Sequence, residues 1–397
     1  MKARIGIVGA GFAGLGLALA LHKKGFAPTV FEKREERGIV DEGIFLTLAP
    51  NGVNALRPLG IAEAAIASGI RTMGLALHNE NGVFLGGIDY AGHAERFGAP
   101  SVTIRRGVLS AILLSAARAA GVELHFGAGV SGVEEQDGGV VLRLASGAVH
   151  EFDYLIGADG LRSSVRQLVM PELAPPAYNG LLGGGGIVDV PGVPATNGRM
   201  IMTFGRQASL GYIKEGDGPV YWFNSFPAPE GRGQFAERAQ LSDFVTALHH
   251  SDPEINRRII EAAAPGIERF YPDFDIPDLP FWSRGRVVLI GDAAHAVTPH
   301  SGQGASMALE DANVLAACIE AEGTCQSAYQ RFEALRRKRV AAAVRLGRQG
   351  GTAKKALSWF ARRVRDVALP IFIPIGQKGQ ERLFEFRVDR DPLVLPD

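Results

Sequence analysis

The sequence predicts an α/β protein in which a parallel-sheet domain is interrupted by an inserted, mostly antiparallel β-sheet domain and followed by C-terminal helices. Three observations predict it. A strand, a glycine-rich turn and a helix open the chain; residues 171–280 read as short β-rich runs between Gly and Pro turns; and a buried strand followed by a long helix returns after residue 285. The expected division is discontinuous: 1–75, 100–170 and 281–330 for the parallel-sheet domain, 76–99 and 171–280 for the inserted sheet, and 331–397 for a helical segment.

Composition narrows the function classes. With 397 residues, 46% hydrophobic and 21% charged, the chain can bury a core without disulfides or structural metals. Lys+Arg and Asp+Glu both number 42, a balance that argues against a nucleic-acid partner. Cys318 and Cys325 form no CxxC and neither joins a ligand cluster, so a reducing, cytoplasmic setting is expected and no metal site. The 51 glycines follow no Gly-X-Y period and belong to turns and close backbone approaches.

The apolar run Ile5 to Leu21 follows Lys2 and Arg4 as a signal peptide would, but five glycines interrupt it and no small-x-small cleavage site precedes Lys23. It parses instead as strand, turn and helix. Arg4–Val8 is a short buried strand, Ala13–Lys24 a helix stopped by Gly25, and Thr29–Phe31 a second strand, together a right-handed βαβ unit. Leu109–Ala120 is a helix followed by the strand Val122–Phe126, and a hairpin turns at Ser146-Gly147. Between about 171 and 280 helical periodicity is absent, and Met200–Phe204, Ser209–Ile213 and Val220–Phe226 read as strands. Arg286–Ile290 is a buried strand and Ala305–Glu320 a helix.

Gly9-Ala10-Gly11-Phe12-Ala13-Gly14 is a GxGxxG turn between a strand and a helix, and Glu32 closes the next strand 18 residues after Gly14. Each position has a physical reason. Gly9 allows the tight turn, Gly11 lets backbone approach a pyrophosphate, Gly14 permits close packing, and the helix start offers N–H groups to the anion. Glu32 would accept hydrogen bonds from ribose hydroxyls. This is a Rossmann-like dinucleotide site, with Phe12, Ala13 and Lys33 among its candidate contacts.

Two downstream segments narrow the dinucleotide. Leu155-Ile-Gly-Ala-Asp159-Gly160 and Val287-Val-Leu-Ile-Gly291-Asp292-Ala-Ala-His295 each follow a strand, and the second continues through Pro299-His300-Ser-Gly302-Gln-Gly304 into a helix. With the amino-terminal turn, in this order and spacing over about residues 3–345, the chain resembles the FAD-dependent aromatic hydroxylases, single-component flavoprotein monooxygenases with the p-hydroxybenzoate hydroxylase-like fold.

The resemblance implies site roles. Asp292 would bind the ribityl chain of FAD, Asp159 would hold the pyrophosphate region and bear on NAD(P)H use, and Arg106, within Arg-x-x-Leu-x-x-x-Leu, would contact FAD near its phosphates in preference to Arg105. By residue type alone both aspartates read equally as turn or N-cap residues. Gly302 and Gly304 precede a helix whose start would face the flavin ring, with Pro299 fixing the loop's approach. His295 and His300 read as structural.

The substrate would lie between flavin and inserted sheet, with 43–52 as another wall. Strand alternation puts Tyr221, Phe223 and Ser225 on one face and Ala208, Leu210 and Tyr212 on one face of the neighbouring strand. Phe45, Thr47, Tyr212, Tyr221, Phe223 and Pro299 are therefore pocket candidates, while any of the sheet residues reads as readily as ordinary core. No catalytic acid or base is identified.

The resemblance further implies that NADPH or NADH reduces FAD, that O2 adds at flavin C4a to give a hydroperoxide, and that an oxygen passes to an aromatic or heteroaromatic small molecule. The nicotinamide preference stays open, as do an epoxidase, an N-hydroxylase or an antibiotic-modifying monooxygenase on the same scaffold. The protein would act as a monomer or homodimer. Ala353–Ala368 is a basic helix with Trp359 and Phe360 on its apolar side; it is expected to pack on the flavin domain with its charged face in solvent, the alternative being a membrane-associated structural flavoprotein.

Overall fold

A computed structural model describes residues 2–40, 43–136, 138–233, 238–352 and 358–393. Along the first third of the chain come β1 (Ile5–Val8), α1 (Phe12–Lys23), β2 (Pro28–Phe31), α2 (Arg37–Val40), β3 (Phe45–Leu48), α3 (Pro50–Leu56), α4 (Ala62–Ala67) and β4 (Ile70–Thr72). Then follow β5 (Gly74–Asn79), β6 (Phe84–Asp89), α5 (His93–Phe97), β7 (Ser101–Arg105), α6 (Arg106–Ala119), β8 (Glu123–His125), β9 (Val130–Gln136) and β10 (Gly139–Leu144). The middle holds β11 (Val149–Phe152), β12 (Tyr154–Gly157), α7 (Ser164–Val169), β13 (Ala177–Val188), β14 (Arg199–Phe204), β15 (Ser209–Lys214) and β16 (Val220–Pro227). The last third holds α8 (Arg238–His249), α9 (Glu254–Ala263), β17 (Tyr271–Asp275), β18 (Ser283–Arg284), β19 (Val287–Leu289), α10 (Asp292–His295), α11 (Gly304–Ala321), α12 (Cys325–Thr352) and α13 (Trp359–Phe384).

The first sheet has the order β18-β19-β12-β1-β2-β8, all parallel except the β18–β19 pair. Chain order reverses at β1, which pairs β2 on one side and β12 on the other, the point beyond the strand ends at which open α/β sheets bind their ligands. Helix α1 is buried along almost its whole length from Ala13 to Leu21 because the sheet covers one side and α11 the other. That burial explains the nearly unbroken apolar run. At the crossing, a Cβ on Gly16 would lie 3.2 Å from the Ala312 Cβ, so the two helices pack backbone to backbone.

The second large sheet has seven strands in the order β17-β13-β16-β15-β14-β5-β6. One face packs against α8 and α9 through Leu182, Leu210, Tyr212, Trp222, Phe226 and Ile259; the other carries Met200, Met202, Phe204, Leu77 and Ile213, flanked by Tyr221, Phe223 and Phe45. The helices α8 and α9 correct the sequence expectation of a helix-free insertion. In α9 Ile255, Ile259, Ile260 and Ala263 recur at helical spacing, but the two helices are short and lie among Gly and Pro, which hides the period. Strand β13 is hidden in the sequence too, since Gly183 to Gly186 lack any strand-forming side chain.

Two three-stranded sheets, β3-β7-β4 and β11-β10-β9, complete the fold; the second contains the expected hairpin. The C-terminal helix departs from expectation. Residues 353–357 of the basic segment lie outside the described residues, and the first part of α13 packs with Leu369 and Ile373 on the seven-stranded sheet, with apolar side chains facing solvent, while its carboxyl end, Leu383 and Phe384, joins the core of the parallel-sheet domain.

Candidate functional site

The glycine turn after β1 is fixed from inside by two of its glycines and open at the third. A Cβ on Gly14 would overlap the Gly9 carbonyl oxygen, and one on Gly9, whose φ is 107°, would overlap the Ala158 carbonyl oxygen after β12. A Cβ on Gly11 would meet nothing within 4 Å. Gly11 therefore borders open space at the amino end of α1, where backbone N–H groups and the helix dipole suit an anion. This is a cradle that fits the pyrophosphate of a dinucleotide.

Glu32 joins the same turn. Its Oε2 accepts from the Ala10 N–H at 2.8 Å, and its Oε1 accepts from the Arg34 N–H at 3.0 Å and from Arg34 Nε at 2.8 Å. Burial raises the carboxyl's pKa, but the hydrogen bonds from Arg34 and Ala10 outweigh it and hold it below the usual carboxylate range. Sequence reasoning misses Arg34, although a cation two residues beyond a fingerprint acid is a readable signal. Lys33 is exposed.

Arg106 and Asp292 lie near enough beside this turn for the arginine's charge to act on the carboxyl. The Arg106 guanidinium lies over the Phe12 ring, 5.5 Å from its centroid, and its backbone N–H donates to the Ile44 carbonyl at 3.3 Å. A Cβ on Gly43 would lie 2.5 Å from Arg106 Cδ, so the start of the 43–52 segment is pressed against this arginine. Asp292 begins α10 after Gly291, whose α-carbon side faces Ala13. Asp292 is exposed, yet desolvation by the protein around it pushes its carboxyl pKa up, partly offset by Arg106 and His295. Phe12, Arg106 and Asp292, which are far apart in sequence, thus line one crevice.

Asp159 is placed differently. Its Oδ2 accepts from the N–H groups of Ser164 and Val165 at 2.7 and 3.1 Å, and its Oδ1 accepts from the Ser163 hydroxyl, so it caps α7. It lies beside the turn through its neighbour Ala158, but its oxygens are engaged within the protein.

The loop Pro299–Gly304 leads into α11. Pro299 and Gly302 are exposed, Gly302 has a φ of 62° with nothing within 4 Å of a Cβ, and Gly304 opens the helix. A buried charge network holds it. Arg336 donates to Asp311 Oδ1 at 2.7 Å and to Glu310 Oε2 at 2.6 Å, while Arg339 donates to both Glu310 oxygens at 2.7 Å. His295 lies 2.6 Å from Asp311 Oδ2, which also accepts from the Gly291 N–H, and Asn51 donates to Glu310 and to Gln303. His295 is thereby structural, and His300 pairs with Asp273 at 3.0 Å. The carboxylate partners on α11 escape sequence reasoning, because pairing across helices has no local pattern.

Across the crevice stands the inner face of the seven-stranded sheet. Phe45 lies 5.6 Å from the Tyr221 ring and 6.1 Å from the Phe223 ring. Gly183 and Gly185 pair with Ser225 and Phe223 on this face, and a Cβ on Gly185 would meet Ile44 Cδ1 at 2.7 Å. Thr47 is half-buried and hydrogen-bonded to Thr103 at 2.8 Å, which in turn bonds Thr72 at 2.7 Å. Tyr212 does not join them. It pairs with Trp222 in the β15–β16 ladder and is buried beneath α8 and α9 on the opposite face, so its pocket placement is corrected: the register sets Ile213, not Tyr212, beside Tyr221.

The chain matches the FAD binding domain family over residues 2–209 and 237–348. The aurachin C monooxygenase/isomerase of Stigmatella aurantiaca is 32% identical over 363 residues, 90% of this chain and 92% of that protein. The 3-amino-4-hydroxybenzoate 2-monooxygenase of Streptomyces cremeus is 32% identical over 99% of this chain and 93% of its own. Among solved structures, Klebsiella pneumoniae HpxO complexed with FAD and uric acid superposes with a TM-score of 0.85 at 25% identity, covering 96% of this chain and 97% of that one. A fold shared end to end, and a glycine turn whose open side fits a pyrophosphate, place the chain in the FAD-dependent aromatic hydroxylase family: it is an FAD-dependent monooxygenase that draws on NAD(P)H.

Proposed function

We propose that the protein hydroxylates an aromatic or heteroaromatic small molecule held between the Pro299–Gly304 loop and the inner face of the seven-stranded sheet. The observation that carries this reading is the trio Phe45, Tyr221 and Phe223, brought from two sheets to one wall within ring-contact distance. Such a wall holds a flat ring by offset and edge-on contacts, each about 0.5–1.5 kcal/mol. Beside it on the same face, the glycines at 183 and 185 leave the neighbouring strand bare of side chains.

FAD would be held by the residues around the crevice: its pyrophosphate on the α1 amino end at Gly11, a ribose by Glu32, its phosphates near Arg106 and its ribityl chain by Asp292. Asp159 would act indirectly, by fixing α7 and the backbone beside Gly9. FAD, when bound and reduced by NAD(P)H, supplies the activation of O2 from which the oxygen is transferred. The protein would orient the ring, exclude water and, through the amino end of α11 at Gly304, favour negative charge on a bound flavin. A cytoplasmic setting, where thiols such as Cys318 and Cys325 stay reduced and nicotinamide is supplied, suits this reading.

Stopped-flow reduction of the flavin by NADPH and by NADH tests the reading, with and without a panel of phenols, salicylates, purines and polycyclic aromatics. A panel member that accelerates reduction many-fold and yields its hydroxylated product supports it. Turnover of a non-aromatic substrate with no response to any ring would overturn it.

A further inference from the structure

No helix among the described residues is long and apolar enough to cross a membrane. One helix nevertheless presents an apolar face to solvent. On α13, Phe360, Val364, Val367, Ile371 and Ile375 recur at intervals of four, three, four and four residues, and each exposes at least half of its surface. Trp359 and Phe372 border the stripe and are exposed as well. Single exposed hydrophobes are ordinary on a protein surface, whereas a continuous stripe of this extent marks an interaction face.

The stripe is not the loose side of a frayed tail. Leu369 and Ile373 pack on the seven-stranded sheet from the opposite side of the helix, and a Cβ on Gly86 would lie 2.6 Å from Ile373 Cδ1. Arg362 and Arg365 pair with Glu80 at 3.0 and 2.9 Å, Asp366 accepts from Asn79, and Glu381 pairs with Arg96 at 2.7 Å. The sheet thus fixes which side of α13 faces outward.

Charge says what that side meets. Both acids between Arg363 and Arg382, Asp366 and Glu381, are engaged by arginines and only partly exposed. The exposed charges over the same span are Arg363, Lys378 and Arg382, all cationic. A second copy of this helix offers the same cations and only Glu385, at its carboxyl cap, as an exposed acid to balance them. An anionic lipid surface supplies both halves of the match: acyl chains for the stripe and headgroup phosphates for its rim.

We propose that α13 is an interfacial helix that seats the protein on an anionic membrane surface, lying in the headgroup plane with Phe360, Val367 and Ile371 inserted and Arg363, Lys378 and Arg382 on the phosphates. Leu369 and Ile373, on its other side, pack on the same apolar cluster that Phe45, Tyr221 and Phe223 flank. A helix held at the bilayer would therefore bring the wall of the crevice close to the lipid.

The test is flotation of the full FAD-loaded chain with vesicles of phosphatidylcholine alone and of phosphatidylcholine mixed with phosphatidylglycerol, at physiological salt. The wild type co-floats with the mixed vesicles and much less with the neutral ones. Val367→Glu with Ile371→Glu lowers the bound fraction at least about ten-fold while FAD content and melting temperature hold, because both positions are exposed. Lys378→Glu with Arg382→Glu removes the preference for anionic vesicles. Wild-type protein that stays unbound with both vesicle types overturns the proposal. So does a dimer, seen by sedimentation without flotation, that Val367→Glu with Ile371→Glu dissociates, since the stripe would then be a self-interface.

Discussion

The Ala10 N–H donates to the Glu32 carboxylate across 2.8 Å, bonding the acid that follows β2 into the turn that follows β1. Glu32 therefore has two roles, holding the turn and offering its remaining lone pairs to a ribose. Glu32→Ala removes both, and the loss of a charged hydrogen-bond acceptor, worth about 1.5–3 kcal/mol, should weaken FAD retention roughly ten- to a hundred-fold. Asp292→Ala should also lower flavin occupancy, without touching the turn. Flavin absorbance per protein after gel filtration measures both; full occupancy in either variant would remove that residue from the site.

The glycines of the turn separate packing from binding. Gly14→Ala forces a Cβ onto the Gly9 carbonyl oxygen, so the variant should express poorly or melt well below the wild type. Gly11→Ala meets nothing within 4 Å, and its backbone φ of −79° suits any residue. It should fold normally as apoprotein yet bind FAD weakly, because the added methyl stands where a phosphate would approach. Differential scanning fluorimetry of the apo and FAD-loaded forms distinguishes them; normal FAD affinity in Gly11→Ala would contradict the cradle.

The two faces of the seven-stranded sheet give a paired prediction. Tyr221→Ala and Phe223→Ala should raise the KM for the aromatic substrate and increase the hydrogen peroxide released per NAD(P)H oxidised, since the ring is then poorly held and water less well excluded. Tyr212→Phe, altered beneath α8 and α9, should leave both unchanged. Peroxide yield against product is the measurement, and an effect confined to Tyr212 would reverse the assignment of faces.

Stability should fall with acid through His93. This side chain is buried against Tyr90, Phe97 and Phe384, with Nδ1 3.0 Å from the Ser101 hydroxyl, and burial lowers its pKa from 6.5 to about 4. Between those values the unfolded chain binds a proton that the folded chain does not. The stability present above about pH 6.5 is thus progressively lost as pH falls towards 4, by up to about 3 kcal/mol. Urea titrations at pH 7 and 4.5 should show the loss, and His93→Gln should flatten it; an unchanged slope would assign the acid sensitivity to other groups.

Features whose information is local are legible in the chain before it folds. A glycine at 9, 11 and 14 between a strand and a helix, and an acid 18 residues on, state their geometry in one short segment, because each depends on φ, on a missing Cβ or on a single helix end. The same holds for the strands β14, β15 and β16, whose alternation is written in consecutive residues. Which face of those strands meets the crevice is settled only by packing, since period-two alternation names two faces without saying which is inside; the register and the covering helices put Tyr221 on one and Tyr212 on the other. Packing also brings Phe12, Arg106 and Asp292 together, and Glu310 and Asp311 with Arg336, because such pairings are set by how sheets and helices stack. The outward face of α13 has the same origin: a basic helix that sequence would lay on the first domain packs by Leu369 and Ile373 on the second and reaches the first only at Leu383 and Phe384, leaving its apolar stripe in the open.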